Sequence, residues 1–252
     1  MSAVMSVAAQ RGQKPSWRAL CGSLSLVATL IGAGSAAADI TSARYTDETT
    51  RYAHGVLGDA IEYGALEMVT DAQKTLRITL PEHLVFEDIA PRLVDVDGDG
   101  SREVIVVESS QTKGARLAIY DATGRIAVTP HIGTRNRWLA PIGAADLDGD
   151  GHVEIAYIDR PHLAKTLRVW RFQDNQLTEV ATLSELTNHR IGEDFISGGV
   201  RDCGEGVELV TADATWRKVM ATQLIGASLQ TRAIGAFKGP KSFEAALACA
   251  PL

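Results

Sequence analysis

From residue 103 onward, short apolar runs alternate with clusters of turn-forming residues. Residues 103–108, 115–120, 126–129, 154–158, 167–172 and 207–211 are rich in β-branched and aromatic side chains, so each predicts a strand. Turn groups such as Asp121-Ala122-Thr123-Gly124 and Gln173-Asp174-Asn175 separate them. Long helical periodicity is absent, and residues 242–248 predict one short helix. The pattern predicts an all-β chain.

Two of these strands follow nearly identical loops. Asp95-Val96-Asp97-Gly98-Asp99-Gly100-Ser101-Arg102-Glu103 aligns without a gap with Asp146-Leu147-Asp148-Gly149-Asp150-Gly151-His152-Val153-Glu154, at an offset of 51 residues. A period of this size predicts repeated supersecondary units, of which propeller blades are the obvious form. A decayed third copy spans residues 198–210; aligned without a gap, Asp202 falls on Asp148 and Glu208 on Glu154, while Val200 and Gly204 replace two carboxylates. No metal is expected at that copy. A weaker one begins at Val56-Leu57-Gly58-Asp59. Each unit reads as strand, Asp loop, strand, turn, strand, turn, strand. That order predicts a four-stranded antiparallel blade, and the chain a small or partial β-propeller of about four to five blades.

In both good loops, counted from the first Asp, carboxylates stand at positions 1, 3, 5 and 9 and glycines at 4 and 6. Oxygens on alternate residues of a tight loop converge on one point, and glycine supplies the backbone angles the turn requires. The expected ligands are Asp95, Asp97, Asp99 and Glu103 in one loop and Asp146, Asp148, Asp150 and Glu154 in the other. Position 7, Ser101 or His152, offers its backbone carbonyl, which leaves the His152 side chain a bystander. An all-oxygen set with several carboxylates suits Ca²⁺ better than zinc or copper. An EF-hand is excluded, because it needs a bidentate Glu at position 12, occupied here by Val106 or Tyr157 inside a β-rich run.

Charge supports the same reading. The first 38 residues carry Arg11, Lys14 and Arg18, an apolar run over 20–31 and the small-residue exit Ala36-Ala37-Ala38, the composition of a secretory leader cleaved before Asp39. The apolar run is too short to span a bilayer comfortably, so no membrane span is expected. Residues 1–38 hold three of the 25 basic residues and none of the 31 acidic ones, so residues 39–252 carry a formal charge of −9. Eight of those charges belong to the two loops. Nucleic acid is a poor partner for such a chain, since phosphate binding draws on clustered positive charge. Cys203 and Cys249 remain after cleavage and predict one disulfide in an oxidising compartment, the periplasm or outside the cell.

With these residues in hand, the chain resembles the FG-GAP and VCBS repeat proteins, relatives of the calcium-binding blades of integrin α-chain propellers. The resemblance is carried by Asp-x-Asp-Gly-Asp-Gly-x-x-Glu followed by an apolar strand, over residues 90–108 and 141–159, and partly over 198–213. It implies a β-propeller with structural calcium on its blade loops, held by the eight carboxylates named above.

Outside the loops, no phosphate-binding glycine loop, His-Glu-x-x-His or Gly-x-Ser-x-Gly motif is present, and the six histidines lie without ligand spacing. If the repeats superimpose, Arg135 and Arg137 before Asp146, and Asn188, His189 and Arg190 before Val200, emerge from equivalent loops on one face. They form a candidate basic surface for an anionic ligand. The expected function is a non-enzymatic calcium-binding scaffold or binding module for a protein, saccharide or anionic ligand. The alternative is a small propeller hydrolase or lyase acting on saccharide or lipid, with a funnel lined by perturbed carboxylates or histidines. Self-association through an open blade edge is a further expectation.

Overall fold

The structure, a computed structural model, describes residues 38–252. The expected leader lies outside the described residues, apart from its last residue, Ala38. Seventeen strands and one helix follow in order: β1 (Ile40–Thr49), β2 (Glu62–Thr70), β3 (Thr75–Thr79), β4 (Leu84–Phe86), β5 (Arg92–Val94), β6 (Glu103–Ser110), β7 (Gly114–Asp121), β8 (Gly124–Val128), β9 (Leu139–Ala145), β10 (Glu154–Asp159), β11 (Thr166–Gln173), β12 (Gln176–Ser184), β13 (Leu186–Thr187), β14 (Gly199–Asp202), β15 (Val207–Asp213), β16 (Lys218–Ile225), β17 (Ser228–Ala236) and α1 (Lys241–Leu247). Each strand predicted from the apolar runs is present.

The expected unit recurs three times as an antiparallel meander: β5 to β8, β9 to β12, and β14 to β17. Where the second unit has one continuous inner strand, the other two have theirs interrupted. Along one edge of β6, β5 pairs with 103–105 and β4 with 108–110. Along β15, β14 pairs with 207–210 and β13 with 212–213. The inserted segments, 87–91 and 188–198, leave the ladder but stay buried at Glu87, Asp88, Asn188 and His189. β1, β2 and β3 form a further meander joined to the first unit through β4, at the pair Tyr63 and Phe86. The weak copy at Val56 to Asp59 forms turns rather than an inner strand.

Period-two geometry explains why the second strand of each unit is apolar throughout. Successive side chains point to opposite faces, and both faces are covered. In β6, Val104 and Val106 join the core against β2, whereas Ile105 and Val107 face the second unit. In β10, Ile155 and Tyr157 face the first unit while Ala156 and Ile158 face the third. In β15, Leu209 faces the second unit, and Val210 and Ala212 pack under Phe243 and Ala246 of α1. Outer strands β12 and β17 instead carry only exposed and half-buried positions. The sheets are thus stacked in chain order, with β1 to β3 covering one end and α1 the other. Among the described residues no helix is long and apolar enough to cross a membrane.

Candidate metal centres

Both Asp loops connect an inner strand to the second strand of a unit, and their first aspartates and glycines make matching turns. Asp95 Oδ1 accepts from Gly98 N at 2.7 Å and Oδ2 from Gly100 N at 3.0 Å; Asp146 repeats this with Gly149 at 2.7 Å and Gly151 at 3.0 Å. Gly98 and Gly100 have φ of 76° and 90°, Gly149 and Gly151 of 79° and 90°. An L side chain is strained there, which is why glycine alternates with aspartate. The terminal glutamates, buried at the start of β6 and β10, reach back to accept from Val96 N and Leu147 N, each at 2.9 Å.

Electrostatics separate the two loops. Asp95, Asp97 and Asp99 bring carboxylate oxygens within 4.8 Å of one another. Burial, then the neighbouring Asp97, Asp99 and Asp95, pushes the Glu103 carboxyl up to about 7 against the Val96 hydrogen bond. In the second loop, Asp146, Asp148 and Glu154 form the corresponding cluster. Here Arg171 of β11 reaches in, at 2.6 Å from Glu154, 2.8 Å from Asp148 and 2.7 Å from Asp150. Burial still raises Glu154, opposed by Leu147 N–H and by Arg171. One oxygen is left over: Asp148 Oδ1 is buried with no hydrogen-bond partner among the described residues. An orphaned carboxylate oxygen in a tight acidic loop fits a cation ligand.

The third loop differs from its sequence alignment. β14 pairs Arg201 with Glu208, as Val94 pairs with Glu103 and Ala145 with Glu154. Asp202 therefore stands at the first loop position rather than the third, and the loop is two residues shorter. Glu208 is held by guanidinium groups, with Arg201 Nη2 at 2.6 Å and Arg232 also bonded. These hydrogen bonds hold its carboxyl below the usual range despite burial. Cys203 of this loop forms the expected disulfide with Cys249, fixing the loop to the segment after α1. Arginine and a covalent link occupy the role that acidic ligands suggest elsewhere.

The predicted basic surface is not assembled as an exposed face. Asn188 is buried, donating to Ala140 O and Pro141 O at 3.2 and 3.3 Å. His189 is buried against His162 and Trp138. Arg190 lies over Trp216 and pairs with Glu193, while Arg135 stacks on Tyr52. Only Arg137 keeps a guanidinium without a partner among the described residues. Ser101 is buried, and His152 is half-buried at the mouth of a cleft shared with Asp97. Sequence reasoning passed over Arg171, Arg201 and Arg232, and a buried group formed by His54, Glu62, Glu87 and Ser109.

Stacked antiparallel meanders with matched Asp-Gly loops define a class of repeat-built all-β protein. Residues 95–157, from the start of the first loop into β10, match the FG-GAP-like repeat family. No curated protein matches it.

Proposed function

We propose that this protein is an exported, calcium-stabilised binding module of β-propeller type, without catalytic activity of its own, working in the periplasm or outside the cell. The observation that carries the reading is the pair of superimposable loops in which carboxylates converge, one of them with the orphaned oxygen Asp148 Oδ1. Asp95, Asp97, Asp99 and Glu103 hold one Ca²⁺; Asp146, Asp148, Asp150 and Glu154 hold the second, with Arg171 turned aside. The carbonyls of Ser101 and His152 complete the shells. Calcium neutralises repulsion between carboxylates, so each loop becomes rigid and the sheets it joins stay aligned. The ion would stabilise the fold by about 2.7 kcal/mol per site when free calcium is ~100 times its dissociation constant. Export is supported by the leader composition and by the disulfide.

Thermal unfolding in calcium and in chelator, with ion counting by native mass spectrometry, tests the proposal. Two bound ions and a higher melting temperature in calcium are expected. Coincident melting curves with no bound ion would reject it. A second reading, a hydrolase or lyase acting on saccharide or lipid, is favoured by one observation: buried Glu62, Glu87 and His189 interact with half-buried His54 and His162.

A further inference from the structure

The two inserted segments that interrupt the inner strands, 87–91 and 188–198, lie on either side of Trp138. Trp138 Nε1 donates to Glu87 O at 2.9 Å, and its ring lies 5.0 Å from His189 and 6.5 Å from His162, centre to centre. Beside it is a cavity of about 60 Å³ whose lining includes His54, Arg137, Trp138, Arg160 and His162. None of these residues belongs to the Asp loops.

Hydrogen bonding fixes what each imidazole can offer. His189 Nε2 donates to Glu193 O at 3.0 Å, so in the neutral ring Nδ1 is an acceptor. His162 Nε2, at 2.9 Å from that atom, supplies the proton, and in the neutral ring His162 Nδ1 is then an acceptor. Burial, then the nearby His189 and His54, lowers His162 to about 4, consistent with a neutral ring. His54 is turned the other way: its Nδ1 lies 2.5 Å from Glu87 Oε1, and Ser109 Oγ donates to the second oxygen of that carboxylate. Nε2 is the His54 nitrogen left for a ligand, with the Glu87 carboxyl hydrogen-bonded to Nδ1 behind it.

Positive charge stands beside these rings. Arg160 is engaged by Asp159 at 2.6 and 3.0 Å, whereas Arg137 has no acidic partner among the described residues. The Arg137 backbone is pinned, accepting from Ala115 N at 2.7 Å and donating to Thr134 O at 3.1 Å. Gly114, with φ of 73°, permits this closeness, since a Cβ there would come within 3.0 Å of Arg137 Cβ. An acceptor on one side and cationic donors on the other match a ligand carrying both a hydroxyl and a carboxylate.

We propose that the cavity bounded by His54, Arg137, Trp138 and His162 binds the hydroxy-carboxylate end of a small acid or acidic sugar. Arg137 and His54 Nε2 receive the carboxylate, and the hydroxyl donates to His162 Nδ1. This rests on the reading of the protein as a binding module and is independent of its calcium. The volume admits one such group, not a whole saccharide.

The test is imidazole ¹⁵N NMR of the calcium-loaded protein titrated with glycolate at constant ionic strength, with acetate, ethylene glycol and glucuronate as separate arms. His162 should be protonated at Nε2 alone, and glycolate should shift the His54 and His162 signals saturably. Acetate, lacking the hydroxyl, and the Arg137→Gln variant should each bind glycolate's site about tenfold more weakly or worse. Arg190→Gln should bind as the parent does. Glucuronate binding as well as glycolate would identify a sugar-borne acid, and glycolate alone a free small acid; either supports the site. Shifts equal to those from sodium chloride, undiminished binding by Arg137→Gln, or a His162 ring protonated at Nδ1 would overturn it. Glycolate binding by a protein indifferent to calcium would reject the calcium reading and leave this one standing.

Discussion

Replacing Arg171 by glutamine should make the protein more dependent on calcium. The Arg171 guanidinium makes three ion pairs at 2.6 to 2.8 Å with Glu154, Asp148 and Asp150, all expected ligands of the second site. Removing one partner from a buried ionic cluster costs about 3–5 kcal/mol. Side-chain exposures of 23% for Arg171 and 36% for Asp150 place this cluster nearer the surface, so roughly 2–3 kcal/mol is reasonable. For a domain of this size, each kcal/mol moves the melting temperature by about 2–4 °C. In chelator, Arg171→Gln should therefore melt roughly 4–12 °C below the parent. With calcium in excess the ion takes over the charge, and most of that loss should be recovered. The gap between loaded and chelated melting temperatures should widen by a similar amount. The first loop is an internal control, because no arginine among the described residues pairs with its acids. An unchanged gap would mean that Arg171 and the ion do not compete for one set of oxygens. A variant more stable than the parent in chelator would refute the reasoning outright.

Glu62 gives a pH-dependent expectation. Burial, then Glu87 and Asp59, raises its carboxyl to about 9, so the folded protein holds this group protonated. Stability from the protonated form is complete below the ordinary carboxyl range and is lost progressively as pH rises toward 9. Glu62→Gln should remove that loss, gaining roughly 2–4 kcal/mol at pH 8 and little at pH 4.5 in urea unfolding; parallel stability curves for variant and parent would contradict it. Replacing Cys203 and Cys249 together by alanine opens a loop with a sequence separation of 46 residues. This should cost about 3–4 kcal/mol on the chain-entropy model, with little change in the number of calcium ions bound. Loss of a calcium ion from that variant would show that the third loop is coupled to the other two.

Much of this architecture was legible because it is local. The apolar runs at 103–108, 154–158 and 207–211 announced β6, β10 and β15, and burial on both faces accounts for the poor alternation that each shows. Asp and Gly at fixed spacing announced both loops, since the turn conformation depends on those residues alone. What escaped depends on distant partners. Arg171 stands among the second loop's acids only because β11 pairs with β10, bringing it opposite Glu154. The third loop's shortening shows in the register of Arg201 with Glu208, not in a gapless alignment. Asn188 and His189 were expected to share an exposed face with Arg137. The break in the inner strand after Thr187 turns both inward, where Asn188 satisfies the carbonyls of a neighbouring strand.

The different coverings at the two ends of the sheet stack restrict how such a chain can change length. Every internal sheet lends one face to each neighbour, so deleting a unit while keeping its flanks requires the remaining surfaces to fit face to face. Insertion of a whole meander between existing ones preserves that rule, and extension beyond α1 or before β1 does not. Growth in this architecture is therefore expected from the middle of the gene outward, with the terminal pieces inherited unchanged.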